Sequence, residues 1–287
     1  MGHTFPADPG ASHPHAYSTR SEWSGTVARL RDAGCVFAED EAAELLRAAD
    51  GRETGWLQAG LARRVRGEPL EQVVGEAVFA GLRLRVVPGV FVPRRRTELL
   101  ARVAADAVAP GGRLVDLCCG VGAVAAAVLA RRDDVEVVAA DLDPVATGCA
   151  RHNLAAAGAR AAVVTGDLYA PLPPAWRGTV AVLAANAPYV PSTDLATMPR
   201  EARDHEPRLA LDGGPDGGEV QRRVLAGIHA WLRPGGTVAV ETSRAGAPAL
   251  AAAMTAAGLE AEIHLDDDVD GTVVAGRAAR GPGRVGP

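Results

Sequence analysis

The sequence predicts an α/β protein: a doubly wound, largely parallel sheet of about seven strands, preceded by a small helical domain and a linking β-hairpin. Three observations carry this expectation. From Gly111 onward, short apolar runs alternate with helical patterns, the arrangement of parallel strands covered on both faces. Before that, residues 21–75 repeat apolar side chains at three- and four-residue steps. Between the two, AVFAGLRLRVVPG alternates apolar and polar residues around Ala80–Gly81, as a hairpin does.

Taken in order, residues 1–20 are rich in Pro, Gly, His and Ser and read as a disordered lead-in, with no apolar core behind a basic start to suggest a secretory signal. In the helical domain, Val27 and Leu30, then Ala42, Leu45, Leu46 and Ala49, mark two helices stopped by Gly34 and Gly51; a third runs from Trp56 to Val65. Residues 76–92 form the hairpin linker and 93–279 the larger domain, with a short disordered tail at 280–287. Within that domain the predicted strands are 113–117, 135–140, 160–164, 179–185, 237–241, 260–265 and 272–276, the last two antiparallel. The predicted helices are 121–131, 144–157, 218–232 and 247–257. Asp143–Pro144 is a strong helix start, because Asp accepts from free first-turn amides and Pro has no amide to lose there.

Composition narrows the function. The chain has 287 residues, 48% hydrophobic and 23% charged, which suits a folded globular protein. Its longest apolar or small-residue stretches, 122–130 and 179–185, fall short of the ~20 residues of a bilayer crossing, so no membrane span is expected and the cytoplasm is the expected address. Lys is absent; Arg supplies all 30 basic groups against 35 acids, and the net charge of −5 offers no overall field for nucleic acid. Cys35, Cys118, Cys119 and Cys149 form no disulfide-scaffold pattern and are expected as reduced thiols.

Two motifs carry chemistry. The first is Leu114-Val-Asp116-Leu-Cys118-Cys119-Gly120-Val121-Gly122, a strand running into a glycine turn and a helix. Asp141 closes the next strand, where a carboxylate can accept from a ribose diol. Gly120-x-Gly122-x-x-Ala125 also fits the dinucleotide fingerprint, so a nicotinamide dinucleotide and S-adenosylmethionine compete. Asp116 favours the latter, because it would repel a pyrophosphate and attract an ammonium or sulfonium. The second motif is Asn186-Ala187-Pro188-Tyr189, directly after an apolar strand. It resembles the Asn-Pro-Pro-Tyr signature of methyltransferases acting on planar nitrogens. Such nitrogens are poor nucleophiles, and a side-chain oxygen and a backbone carbonyl that accept both N–H bonds can aim the lone pair at the methyl group.

Together with Gly67-Glu-Pro-Leu70, with Pro93-Arg94-Arg95-Arg96-Thr97-Glu98 and with His205-Glu206-Pro207 followed by Asp216-Gly217, these motifs resemble the HemK/PrmC protein-(glutamine-N5) methyltransferases from about Ser21 to Arg277. The resemblance implies a class I S-adenosylmethionine-dependent fold with a Rossmann-like seven-stranded sheet. It further implies methyl transfer to a protein glutamine amide, in the best-known members within the Gly-Gly-Gln loop of a class I release factor. Carried over by residue, Cys118, Cys119, Gly120, Val121 and Gly122 line the methionine and ribose, Asp141 holds the ribose, and Asp167 and Leu168 border the adenine, beside the cofactor-binding Asp116 placed there by its charge. Asn186, Ala187, Pro188 and Tyr189 bind the glutamine amide, Asn186 also bordering the cofactor, and residues 21–75 help select the protein substrate. No metal is implied. The chain departs from the family pattern at Cys118, in place of a glycine, and at Ala187, in place of a proline. Two other readings are an N6-adenine or N4-cytosine nucleic-acid methyltransferase, opposed by the charge balance and 4% aromatic content, and a decayed binding module.

Other features have plainer explanations. The Arg94–Arg96 run reads as a solvated loop before a helix capped by Thr97, and His205 as a loop histidine with an ordinary hydrogen bond. Asp266-x-Asp268-x-Asp270-Gly271 opens like a calcium loop but has Arg277 at the twelfth position. His13 and His15 lie in the lead-in and lack further ligands.

Overall fold

A computed structural model describes residues 20–280; the lead-in with His13 and His15, and the tail beyond Arg280, lie outside the described residues. The chain divides into two compact units at Leu70/Glu71. In the first, α1 (Arg20–Asp32), α2 (Ala38–Ala49) and α3 (Trp56–Val65) pack on one another. Leu30, Ala42, Leu45 and Leu61 are fully buried. Ala48, one residue off the predicted stripe, is buried in place of the partly exposed Leu46 and Ala49. Arg64 and Glu41, both largely buried, join through Nε at 2.6 Å and Nη2 at 2.9 Å, a bidentate pair linking α3 to α2.

A short α4 (Leu70–Val74) leads into β1 (Glu76–Phe79) and β2 (Leu82–Arg85), an antiparallel hairpin. Ala80 and Gly81 both have positive φ, 49° and 78°, as a type I′ turn requires. Glu98 accepts from the Ala80 N–H at 3.1 Å. The hairpin is packed into the second unit: Phe79 and Leu84 are buried in its core, and the Asn153 side chain accepts from the Arg85 N–H at 2.8 Å and donates to the Arg85 carbonyl at 3.1 Å.

The remaining elements are α5 (Glu98–Ala107), β3 (Arg113–Leu117), α6 (Ala123–Arg131), β4 (Glu136–Asp141), α7 (Pro144–Asn153), β5 (Ala161–Thr165), β6 (Val180–Ala185), α8 (Arg200–His205), α9 (Glu219–Gly227), β7 (Leu232–Glu241), α10 (Ala247–Ala256), β8 (Leu259–Asp266) and β9 (Gly271–Ala278). The sheet order is β5-β4-β3-β6-β7-β9-β8, with β9 antiparallel to both neighbours. The predicted strands are all present, and β9 slots between β7 and β8. Alternate strand residues feed two cores. Leu114, Val137, Val182 and Ala239 pack with α5 and α6 on one face; Val115, Val138, Leu183 and Val238 pack with α9 and α10 on the other. Asp143 caps α7, accepting from the Val145 N–H at 2.8 Å with Pro144 behind it.

Three expectations change. Thr97 does not cap α5: its backbone is helical and its hydroxyl makes no cap bond, accepting instead from Asn186 Nδ2. Arg95 and Arg96 are exposed, but Arg94 is only partly so, because it pairs with the buried Glu206, which also accepts from the Val92 N–H at 3.3 Å. His205 ends α8 instead of sitting in a loop, and its carbonyl accepts from Gln72 Nε2. The acidic run after β8 is a hairpin turn, with Asp266 paired to Arg102 and Asp267 to Arg244.

Candidate active site

The chain leaves β3 toward β4 on one side and returns to β6 on the other, so the carboxyl ends of these strands open a crevice at the switch point. A cleft of about 550 Å³ lies there. Asp116 and Cys118 through Val121 reach it from β3, Asp141 from β4, Asp167 and Leu168 from the loop after β5, and Asn186 through Tyr189 from the end of β6. The two motifs, far apart in the chain, therefore share one cavity.

The turn after β3 is tightly held. Cys119 N–H donates to the Ala140 carbonyl at 3.1 Å and Gly122 N–H to the Cys119 carbonyl at 2.8 Å. Cys118 has φ +54°, a left-handed conformation that costs a residue with Cβ about 1 kcal/mol where the family pattern has glycine. Gly120 is also left-handed, and a Cβ there would meet nothing. Gly122 is different: it does not line the cleft, and a Cβ on it would lie 3.1 Å from the Ala150 Cβ. Its part is to let α6 start close against α7, beneath the site.

The carboxylates differ in environment. Asp116 is 1% exposed, and burial pushes it up to about 7 against the opposing Ala125 N–H bond of 3.1 Å. No basic side chain pairs with it among the described residues, so its ionised form lacks a counter-cation. Asp141 accepts from Gly120 N–H at 2.8 Å and Asp143 N–H at 2.9 Å, which fixes its carboxylate while leaving lone pairs toward the cleft. Burial raises it as well. Asp167 pairs with Arg223 at 2.5 Å, and Leu168 has φ +45°. Burial pushes the Cys118 and Cys119 thiols up, which makes them inert packing groups, and both are free cysteines.

On the β6 side, Asn186 Nδ2 donates to Thr97 Oγ1 at 3.3 Å. Tyr189 Oη donates to Glu241 Oε1 at 3.2 Å, and burial, then the Glu241 charge, raises its phenol. Ala187 is fully buried. Behind the tetrapeptide sit Gly213 and Gly217, where a Cβ would fall 2.8 Å from the Pro188 carbonyl oxygen and 2.5 Å from that of Tyr189. Thr97, Glu241, Gly213 and Gly217 were not among the predicted site residues. Glu241 had a signal: like Asp116 and Asp141, it is an acid on an apolar strand at the crevice edge. His205 does not line the cleft.

The comparisons with known proteins decide the family. Residues 81–197 match the methyltransferase small domain. The chain is 40% identical over 208 residues to the release factor glutamine methyltransferase of Mycolicibacterium smegmatis, spanning 72% of this chain and 70% of the relative. The chain belongs to the release factor glutamine methyltransferase family. The relative of the same name from Streptomyces coelicolor is 36% identical over 237 residues, 77% of this chain and 83% of its own length. A methyltransferase crystal structure from Pyrococcus furiosus shares the fold, with a TM-score of 0.52, 17% identity, and coverage of 76% of this chain and 97% of that one. This methyltransferase uses S-adenosylmethionine. Its residues fit that cofactor: Asp116 is a buried carboxylate without a counter-cation, and Gly120 leaves open space beside the turn. No helix among the described residues is long and apolar enough to cross a membrane.

Proposed function

We propose that the protein methylates N5 of a glutamine side chain in a class I release factor, at its Gly-Gly-Gln loop. The observation that carries this reading is that Asn186–Tyr189 and the Asp116–Val121 turn line one cleft, with the Asn186 NH2 already engaged by Thr97. The Asn186 oxygen is thereby left to accept from a flat NH2 group. When bound, S-adenosylmethionine supplies an electrophilic methyl group on a sulfonium. Asp116 would hold its positive charge, Asp141 its ribose, and Asp167 and Leu168 would border its adenine, beside Cys118 through Val121.

The chain's own work is then positioning. Asn186 Oδ1 and the Ala187 carbonyl accept the two amide N–H bonds, which holds the nitrogen lone pair in line for attack. Tyr189 and Pro188 wall in the planar amide. Tyr189 is no general base, because burial keeps its phenol protonated and its O–H donates a hydrogen bond to Glu241. The helical unit, residues 21–75, would serve protein recognition; it exposes Val36 at 84% and Phe37 at 68%, side chains suited to a protein surface.

The test is labelling from a tritiated methyl donor of a release factor carrying Gln or Ala at the target position. Label on the Gln form alone is expected; equal labelling of both, or label on RNA or DNA instead, would overturn the reading. Asn186→Ala should lower turnover at least a hundredfold with donor affinity within about threefold.

A further inference from the structure

The donor end of the cleft carries an ion pair. Asp167, on the loop after β5, and Arg223, on α9, both line the cleft, and Arg223 Nη2 donates to Asp167 Oδ2 at 2.5 Å. Both side chains are about half exposed. Between two freely moving surface side chains such a pair adds little, because holding both in one geometry costs entropy. Here the backbone supplies much of that order. Tyr169, two residues after Asp167, donates its O–H to the Val224 carbonyl at 2.5 Å, and Val224 follows Arg223 on the helix. One turn on, a Cβ at Gly227 would collide with the Tyr169 ring, so α9 lies directly against the loop that carries Asp167. The neighbouring Arg222 does not compete, being held by Asp216 at 2.8 Å. Asp167 Oδ1 makes no hydrogen bond among the described residues.

We propose that Arg223 is a positioning residue for the base of the methyl donor: by holding Asp167 Oδ2 it fixes the carboxylate and leaves Oδ1 to accept from the adenine amino group. The inference rests on the reading above that Asp167 borders the adenine. A carboxylate has no proton to give, so the contact selects a base that offers N–H. Without the guanidinium, a half-exposed aspartate is free to change rotamer, and binding the donor then carries the cost of ordering it. Arg223 touches neither the reacting methyl nor the tetrapeptide, so its effect falls on donor affinity and base preference, with the chemical step left as it is.

The test is calorimetric binding of S-adenosylhomocysteine and of its analogue with purine in place of adenine, which lacks only the 6-amino group. The proteins are the wild type, Arg223→Met, Asp167→Ala and the double variant, with donor KM and kcat measured beside them. The wild type should bind the adenine ligand on the order of tenfold tighter than the purine one. Arg223→Met should weaken the adenine ligand about fivefold and the purine ligand by less than about twofold, raising donor KM in step with kcat nearly unchanged. Asp167→Ala should abolish the preference, and Arg223→Met added to it should change nothing further. The proposal is overturned if Arg223→Met weakens both ligands alike, as a merely structural role would, or if the effects of the two substitutions multiply. A wild type that binds both ligands equally refutes the placement of Asp167 beside the adenine and this inference with it. A wild-type preference that survives Arg223→Met intact refutes the inference alone.

Discussion

The buried, unpaired Asp116 makes donor binding depend on pH. In the free protein burial raises its carboxyl from 3.8 to about 7. An acid whose folded value lies above its unfolded one favours the protonated form. The free protein should therefore lose stability as pH rises from about 4 to 7, with the full loss present above 7. A cationic ligand beside Asp116 binds the ionised form. The ionised fraction is about one eleventh at pH 6 and about ten elevenths at pH 8, so affinity should tighten about tenfold between them, or about 1.4 kcal/mol. The measurement is isothermal titration with S-adenosylmethionine at pH 6, 7 and 8 in buffers of different ionisation enthalpy, where uptake of a proton by the buffer should appear at pH 6. Asp116→Asn keeps an acceptor for the Ala125 N–H and is the control, because dividing by it cancels titration of the ligand's own amine. The reasoning fails if the wild-type to variant affinity ratio is flat across this range.

Two further outcomes test how the site is held. Asn153→Ala removes the two bonds to Arg85 and the 2.9 Å bond to the Val121 carbonyl, which join the hairpin, α7 and the glycine turn. At about 1 kcal/mol each before allowance for partial exposure, the loss should be about 2 kcal/mol, read as a melting temperature lower by roughly 4–8 °C. Arg64→Met leaves Glu41 unpaired in the interior of the helical unit and should cost about 3 kcal/mol, seen as faster amide exchange confined to residues 20–70.

Much of this protein was legible because its signals are local. The apolar runs of β3, β4 and β6 named the sheet, and Gly120 and Gly122 named the turn, since left-handed backbone follows from the residue itself. Asp116, Asp141 and Asn186 could be placed at one edge because parallel strands share a direction. Local signals also misled where partners were distant. Thr97 had the look of a helix cap until its hydroxyl found Asn186, 89 residues away. Arg94 read as a surface charge because Glu206, 112 residues on, was unseen. At Gly122 the motif could not show Ala150 packed against it.

By itself, then, the order of residues determined the α/β class, the strand ends that form the crevice and the tetrapeptide that lies in it, because periodicity and turn chemistry act over a few residues. Only the tertiary structure decided which residues meet that tetrapeptide. Thr97, Glu241, Gly213 and Gly217 come to it from separate segments, and hydrogen-bond direction and close packing depend on where those segments meet.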